Sequence, residues 1–127
     1  MKTPVYILDT SVLADYLAED KSVKELKQYS KAALLPFVVL TEIYYLIFRR
    51  KGKIVADEIL QSVLNWQLTI LNPNEQICLS AGLIKGKYSL GIADSFIAAF
   101  ALASEATLIT KDPDFRILEP HLKLLYF

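Results

Sequence analysis

"YILDTSVLADYL", residues 6–17, begins as a short apolar run, halts at the carboxylate Asp9, and resumes with apolar residues at helical spacing. A change of period from strand to helix within a dozen residues marks a β-α unit. An aspartate at the tip of a buried strand is out of character, because it is a weak strand former and costs free energy to bury. Two readings are open. Asp9 caps the helix that follows, or it holds something positive.

The same alternation runs down the chain. A first strand at residues 4–8 is followed by helices at 11–18 and 21–32, the second with a stripe of Val23, Leu26 and Tyr29/Ser30. "ALLPF" (33–37) reads as a short buried strand halted by its proline. "VVLTEIYYLIFRRKG" (38–52) reads as a helix with a basic last turn and Gly52 as its stop. A helix at 54–66, a strand at 68–72 and a helix at 74–87 follow, and Ser89–Gly91 break the chain. "IADSFIAAFALASEA" (92–106) is an alanine-rich helix, "TLIT" (107–110) a buried strand and "KLLYF" (123–127) a closing strand. Short, continuously apolar strands between helices predict a parallel sheet covered on both faces. Residues 1–127 are therefore expected to form one α/β domain, three-layered, with about five strands.

Composition narrows the function. The chain has 54% hydrophobic residues and a mean hydropathy of +0.34, so it is expected to hide part of its apolar surface against a partner. Fourteen basic residues balance 14 acidic ones, which removes the global positive field of a general nucleic-acid coating protein. One cysteine, Cys78, excludes a disulfide framework or a cysteine-based zinc site, and it reads as a small core residue. His121 is the only histidine and reads as a surface residue near the last strand. No apolar stretch reaches the roughly 20 residues of a membrane span. One early lysine followed by Pro4 and Asp9 is no signal-peptide pattern, so a cytoplasmic location is expected.

Four acids stand where acids are unusual. Asp9 and Asp112 lie just past apolar strands, at the edge where parallel α/β sheets bind ligands. Glu42 interrupts an otherwise apolar helix, and Asp94 opens one whose other faces are small and apolar. Each has a plain structural reading: a helix cap for Asp9, an exposed face or capping partner for Glu42, a dipole-complementing acid for Asp94, a turn for Asp112-Pro113. Together they make a poor coincidence. Clustered carboxylates repel one another unless a cation sits among them, and oxygen-only sites suit magnesium or manganese. Such ions support hydrolysis of phosphodiesters.

"ILDTSVLADYL", "LTEIYYLI", "IADSFIAAFA" and "TLITKDPDF" together resemble the successive motifs of PIN-domain ribonucleases, above all the VapC-type toxins of prokaryotic toxin–antitoxin pairs. The resemblance runs in order over residues 5–115. It implies a PIN-like α/β/α domain with strand order 3-2-1-4-5, which sets the first and fourth strands side by side. It also implies that Asp9, Glu42, Asp94 and Asp112 form a catalytic, metal-binding centre for Mg2+, with Mn2+ as a substitute. Ser11 and Thr110 match hydroxyl positions that support the acids, and Asp114 matches a less constant acid, a helper or turn residue. RNA as substrate and a small antitoxin protein as partner are further implications.

Helical spacing places Glu42, Tyr45, Leu46 and Arg49 on one stripe, so Arg49 is a candidate phosphate contact as well as a helix-terminus cation. Lys85 and Lys87 are a second candidate contact with RNA. A homodimer is expected from the apolar surface of residues 38–48. The competing reading is a non-catalytic PIN-like or receiver-like binding module. A phosphorylation receiver needs its phosphate-accepting aspartate after the third strand, where this chain has Asn72. A DxDxT phosphatase fails at Ser11, and "GLIKGKY" is too short for a P-loop and puts Tyr88 where Ser or Thr belongs.

Overall fold

The computed structural model describes residues 3–127; Met1 and Lys2, at the start of the segment read for a signal peptide, lie outside the described residues. The elements in chain order are β1 (Tyr6–Leu8), α1 (Thr10–Leu17), a 3-10 turn (Lys21–Leu26) running into α2 (Lys27–Ser30), and β2 (Leu34–Pro36). Then come α3 (Phe37–Leu64), β3 (Thr69–Leu71), α4 (Glu75–Tyr88), α5 (Ile92–Ala103), β4 (Thr107–Thr110), a second 3-10 turn (Pro113–Leu118) and β5 (Lys123–Tyr126). The five strands form one parallel sheet in the order β3-β2-β1-β4-β5, flanked by helices. This is the expected PIN-like architecture.

The two central strands are apolar on both faces because both faces are covered. Ile7, Leu8, Leu108 and Ile109 have no exposed surface, and Val12, Leu13, Ile97, Ala98 and Phe115 close over them. Full burial of each large side chain contributes about 1.5–3 kcal/mol. Tyr6, Ile7 and Leu8 pair with Thr107, Leu108 and Ile109 in register. The ladder continues one residue beyond β1, where Asp9 N donates to Ile109 O (3.1 Å). That bond fixes Asp9 beside Thr110 at the carboxyl edge, where the winding of the sheet reverses.

Several local expectations change. Residues 21–32 are not one helix: Val23 leaves helical geometry and Ala32 takes a left-handed φ of 63°. The spacing of Val23 and Leu26, both buried, suits a 3-10 turn as well as an α-helix, so the stripe did not distinguish them. Cys78 is exposed, not in the core. Helix α4 packs on α5 through Ile77, Ala81, Ile84 and Tyr88, and Cys78 lies one residue off that face. His121 is exposed, as expected.

Helix α3 bends sharply at Gly52, with φ 84° and ψ 175°. The fold-back lets Tyr44 donate to Asp57 Oδ1 (2.6 Å), while Lys53 Nζ donates to Asp57 Oδ2 (2.6 Å). A Cβ at position 52 would meet nothing within 4 Å, so conformation rather than space demands glycine there. This backbone region is essentially closed to other residues. Gly52→Ala should therefore lower stability by about 1–3 kcal/mol in urea denaturation although the position is exposed. Parental stability in that variant would show that the bend has an unstrained alternative.

Candidate active site

Four elements bring the acids to one edge. Asp9 leaves β1 in an extended conformation and caps α1, its Oδ1 accepting from Thr10 N (2.8 Å). Its Oδ2 accepts from Ser11 Oγ (2.8 Å) and from Thr110 Oγ1 (2.7 Å). Those hydroxyls are fixed in turn, since Ser11 Oγ accepts from Lys111 N (3.0 Å) and Thr110 Oγ1 from Asp112 N (2.9 Å). Ser11 and Thr110 therefore link Asp9 to the turn that carries the last acids. Asp9 is 3% exposed, and burial raises its carboxyl above the usual range while the bonds from Thr110, Ser11 and Thr10 pull the other way.

Asp112 begins the second 3-10 turn, and its Oδ1 accepts from Asp114 N (2.9 Å). Asp94 sits in the first turn of α5. Asp94, Asp112 and Asp114 each offer a carboxylate oxygen, and the three oxygens lie within 4.8 Å of one another. Asp94 and Asp112 are half-buried and Asp114 is exposed. Asp114, expected only as a helper, thus joins the tightest acidic group among the described residues. Asp9 and Glu42 lie outside that trio, yet their charges reach it. Burial, then the charges of Asp9, Asp112, Glu42 and Asp114, push the Asp94 carboxyl up to about 7. Glu42, half-buried on α3, accepts from Thr10 Oγ1 (2.6 Å) through Oε1. Sequence reading missed Thr10, although it stands between two flagged residues in the run "DTS".

Among the described residues no lysine or arginine pairs with Asp9, Glu42, Asp94, Asp112 or Asp114; the ion pairs are Lys53–Asp57, Lys111–Asp15 and Arg116–Glu119. The donor set fits a hard dication: it is all carboxylate, and three oxygens within 4.8 Å of one another are close to the spacing imposed by ligands at about 2.0–2.1 Å. Of the cationic candidates, Arg49 and Lys87 are exposed, whereas Lys85 Nζ donates to Leu90 O (3.0 Å) beyond the end of α4.

Solved structures share this fold. A chain of VapBC2 from Rickettsia felis, bound to a DNA fragment from its promoter, superposes with a TM-score of 0.78 at 21% identity, covering 97% of this chain and 98% of that one. A toxin–antitoxin complex from Klebsiella pneumoniae gives 0.72 at 20% identity, with 87% and 89% covered. VapC20 from Mycobacterium tuberculosis, a sarcin–ricin loop cleaving toxin, gives 0.75 at 19% identity, with 88% and 93% covered. No curated protein is significantly similar in sequence. The sequence matches the PIN domain over residues 6–119, a span that holds every strand-end and helix acid of the site. On that match, the chain belongs to the PIN domain family.

Proposed function

We propose that the chain is a magnesium-dependent endoribonuclease, the toxin of a toxin–antitoxin pair, hydrolysing RNA phosphodiester bonds at Asp9, Glu42, Asp94 and Asp112. Asp114 is added to this centre as a ligand rather than a helper. The observation that carries the reading is the convergence of Asp94, Asp112 and Asp114 at the carboxyl edge of the sheet, with no lysine or arginine among the described residues paired to them. Mg2+, or Mn2+ in its place, would be held by these carboxylates, and when bound it supplies charge neutralisation at the phosphate and acidifies water. The chain's part is positioning. Ser11 and Thr110 hold Asp9 in place, Thr10 orients Glu42, and the Asp112 carboxylate folds Asp114 back into the trio. Arg49 and Lys87 are exposed and suited to meet phosphates of the RNA.

The likeness to toxin–antitoxin complexes, and to a toxin that cleaves, supports both the activity and a small antitoxin as partner. A groove lined by Leu17, Ile43, Leu46, Ile47 and Ile59, with Arg50 at its rim, suits an apolar antitoxin helix. Tyr45 (45% exposed) and Phe48 (49%) on α3 favour a homodimer. No helix among the described residues is long and apolar enough to cross a membrane, and we place the protein in the cytoplasm with its RNA. The test is incubation of the purified chain with RNA and Mg2+. Cleavage is expected; intact RNA under these conditions would favour the non-catalytic binding module.

A further inference from the structure

We propose that Lys111 is a positioning residue that braces the acidic turn against α1 and the first 3-10 turn, an inference that rests on the reading of Asp112 and Asp114 as cation ligands. Lys111 lies between Thr110, whose hydroxyl binds Asp9, and Asp112. Its backbone N donates into the site, to Ser11 Oγ (3.0 Å). Its side chain runs to other elements. Lys111 Nζ donates to Asp15 Oδ2 (2.7 Å) on α1 and to Ser22 Oγ (2.8 Å) in the 3-10 turn. Ser22 is not a loose acceptor, because its hydroxyl and its backbone N both donate to Asp20 Oδ1 (2.7 and 2.8 Å). One residue thus joins the acidic turn to two elements about 90 positions earlier in the chain.

The surroundings agree with a brace. The Lys111 side chain is 28% exposed and that of Asp15 39%, so the pair is partly shielded from solvent. Bonding to Asp15 raises the pKa of the Lys111 ammonium, which stays charged. On the other side of the turn, Tyr126 OH donates to Asp112 O (3.2 Å) from β5. The turn is therefore held from both flanks. Without the Lys111 side chain, the link from the turn to Asp15 and Ser22 would be lost.

A partly exposed ion pair contributes little to global stability. Residues that orient a metal's ligands have a larger effect at the metal, typically 10–100-fold in affinity or activity. Lys111→Met should therefore weaken Mn2+ binding about tenfold or more, read by titration with electron paramagnetic resonance, while the melting temperature moves only slightly. RNA cleavage should fall through kcat with KM near parental, and Lys111→Arg should restore most of both. In the metal-free protein, Lys111→Met should speed hydrogen exchange at the Asp112 and Asp114 amides, which are bonded to Thr110 Oγ1 and Asp112 Oδ1. Parental Mn2+ affinity in Lys111→Met overturns the proposal. If the parent itself binds no Mn2+, the cation-centre reading fails, and exchange decides Lys111 separately: unchanged rates at those two amides overturn its bracing role.

Discussion

Asp94→Asn is expected to leave RNA essentially uncut while making the metal-free protein melt higher than the parent at pH 8. In the parent, burial and four neighbouring acids push the Asp94 carboxyl up to about 7, well above its value in the unfolded chain. Between about pH 4 and pH 7 the folded state holds a proton that the unfolded state releases. The folded state then binds more protons, so Asp94 makes stability fall as pH rises through that window. Above about pH 7 the loss is complete. Asparagine removes the charge and with it this slope. The gain in melting temperature should thus be small near pH 4 and largest above pH 7, measured without metal in both proteins. Cleavage moves the opposite way. An amide is a poor ligand for a hard cation, and removal of a charge-stabilising group costs about a hundredfold or more in rate. A variant that is less stable than the parent at pH 8 would mean that Asp94 is held by a favourable contact rather than strained.

Asp9→Asn should also cost at least about a hundredfold in cleavage, but with stability changing in the other direction. Burial raises both carboxyls, but Asp9 is also a working acceptor. Its Oδ1 caps α1, a role that an asparagine oxygen can keep. Its Oδ2 accepts from Ser11 and Thr110, and an amide nitrogen there would face two hydroxyls as a donor. Both hydroxyl oxygens already accept backbone N–H groups, from Lys111 and Asp112. Reversing one centre of that network leaves hydroxyl protons without an acceptor, at about 1–3 kcal/mol per buried unsatisfied group. Relief of the buried charge offsets part of this. The metal-free variant should melt below the parent, and urea denaturation with an RNA cleavage time course checks both halves. Parental cleavage would reduce Asp9 to a helix cap.

Asp9 does more than cap a helix: one oxygen caps α1, and the other ties α1 to the end of β4 through Ser11 and Thr110. The fold was legible because parallel strands covered on both faces have apolar centres, as Ile7-Leu8 and Leu108-Ile109 do. The out-of-place acids were legible for a related reason: a carboxylate at the end of such a strand, or on an apolar helix, needs an explanation beyond solubility. What the sequence hid depends on contacts between distant segments. Lys111 meets Asp15 and Ser22 only after folding, and no spacing near residue 111 announces it. Asp114 looked secondary because its placement depends on the Asp112 carboxylate drawing back its amide, a turn that Asp-Pro-Asp permits without requiring. Cys78 differs from Ile77 by one step around α4, and small apolar character does not specify which of the two faces α5.

The most direct test of the account is the rate of RNA cleavage against Mg2+ concentration at pH 8, for the parent and Asp94→Asn side by side. For the parent, the account predicts no cleavage in chelator and a rate that rises with added Mg2+ to saturation. Asp94→Asn should stay at least about a hundredfold slower across the range. Equal cleavage by the two proteins, or parental cleavage that persists undiminished in chelator, would contradict it.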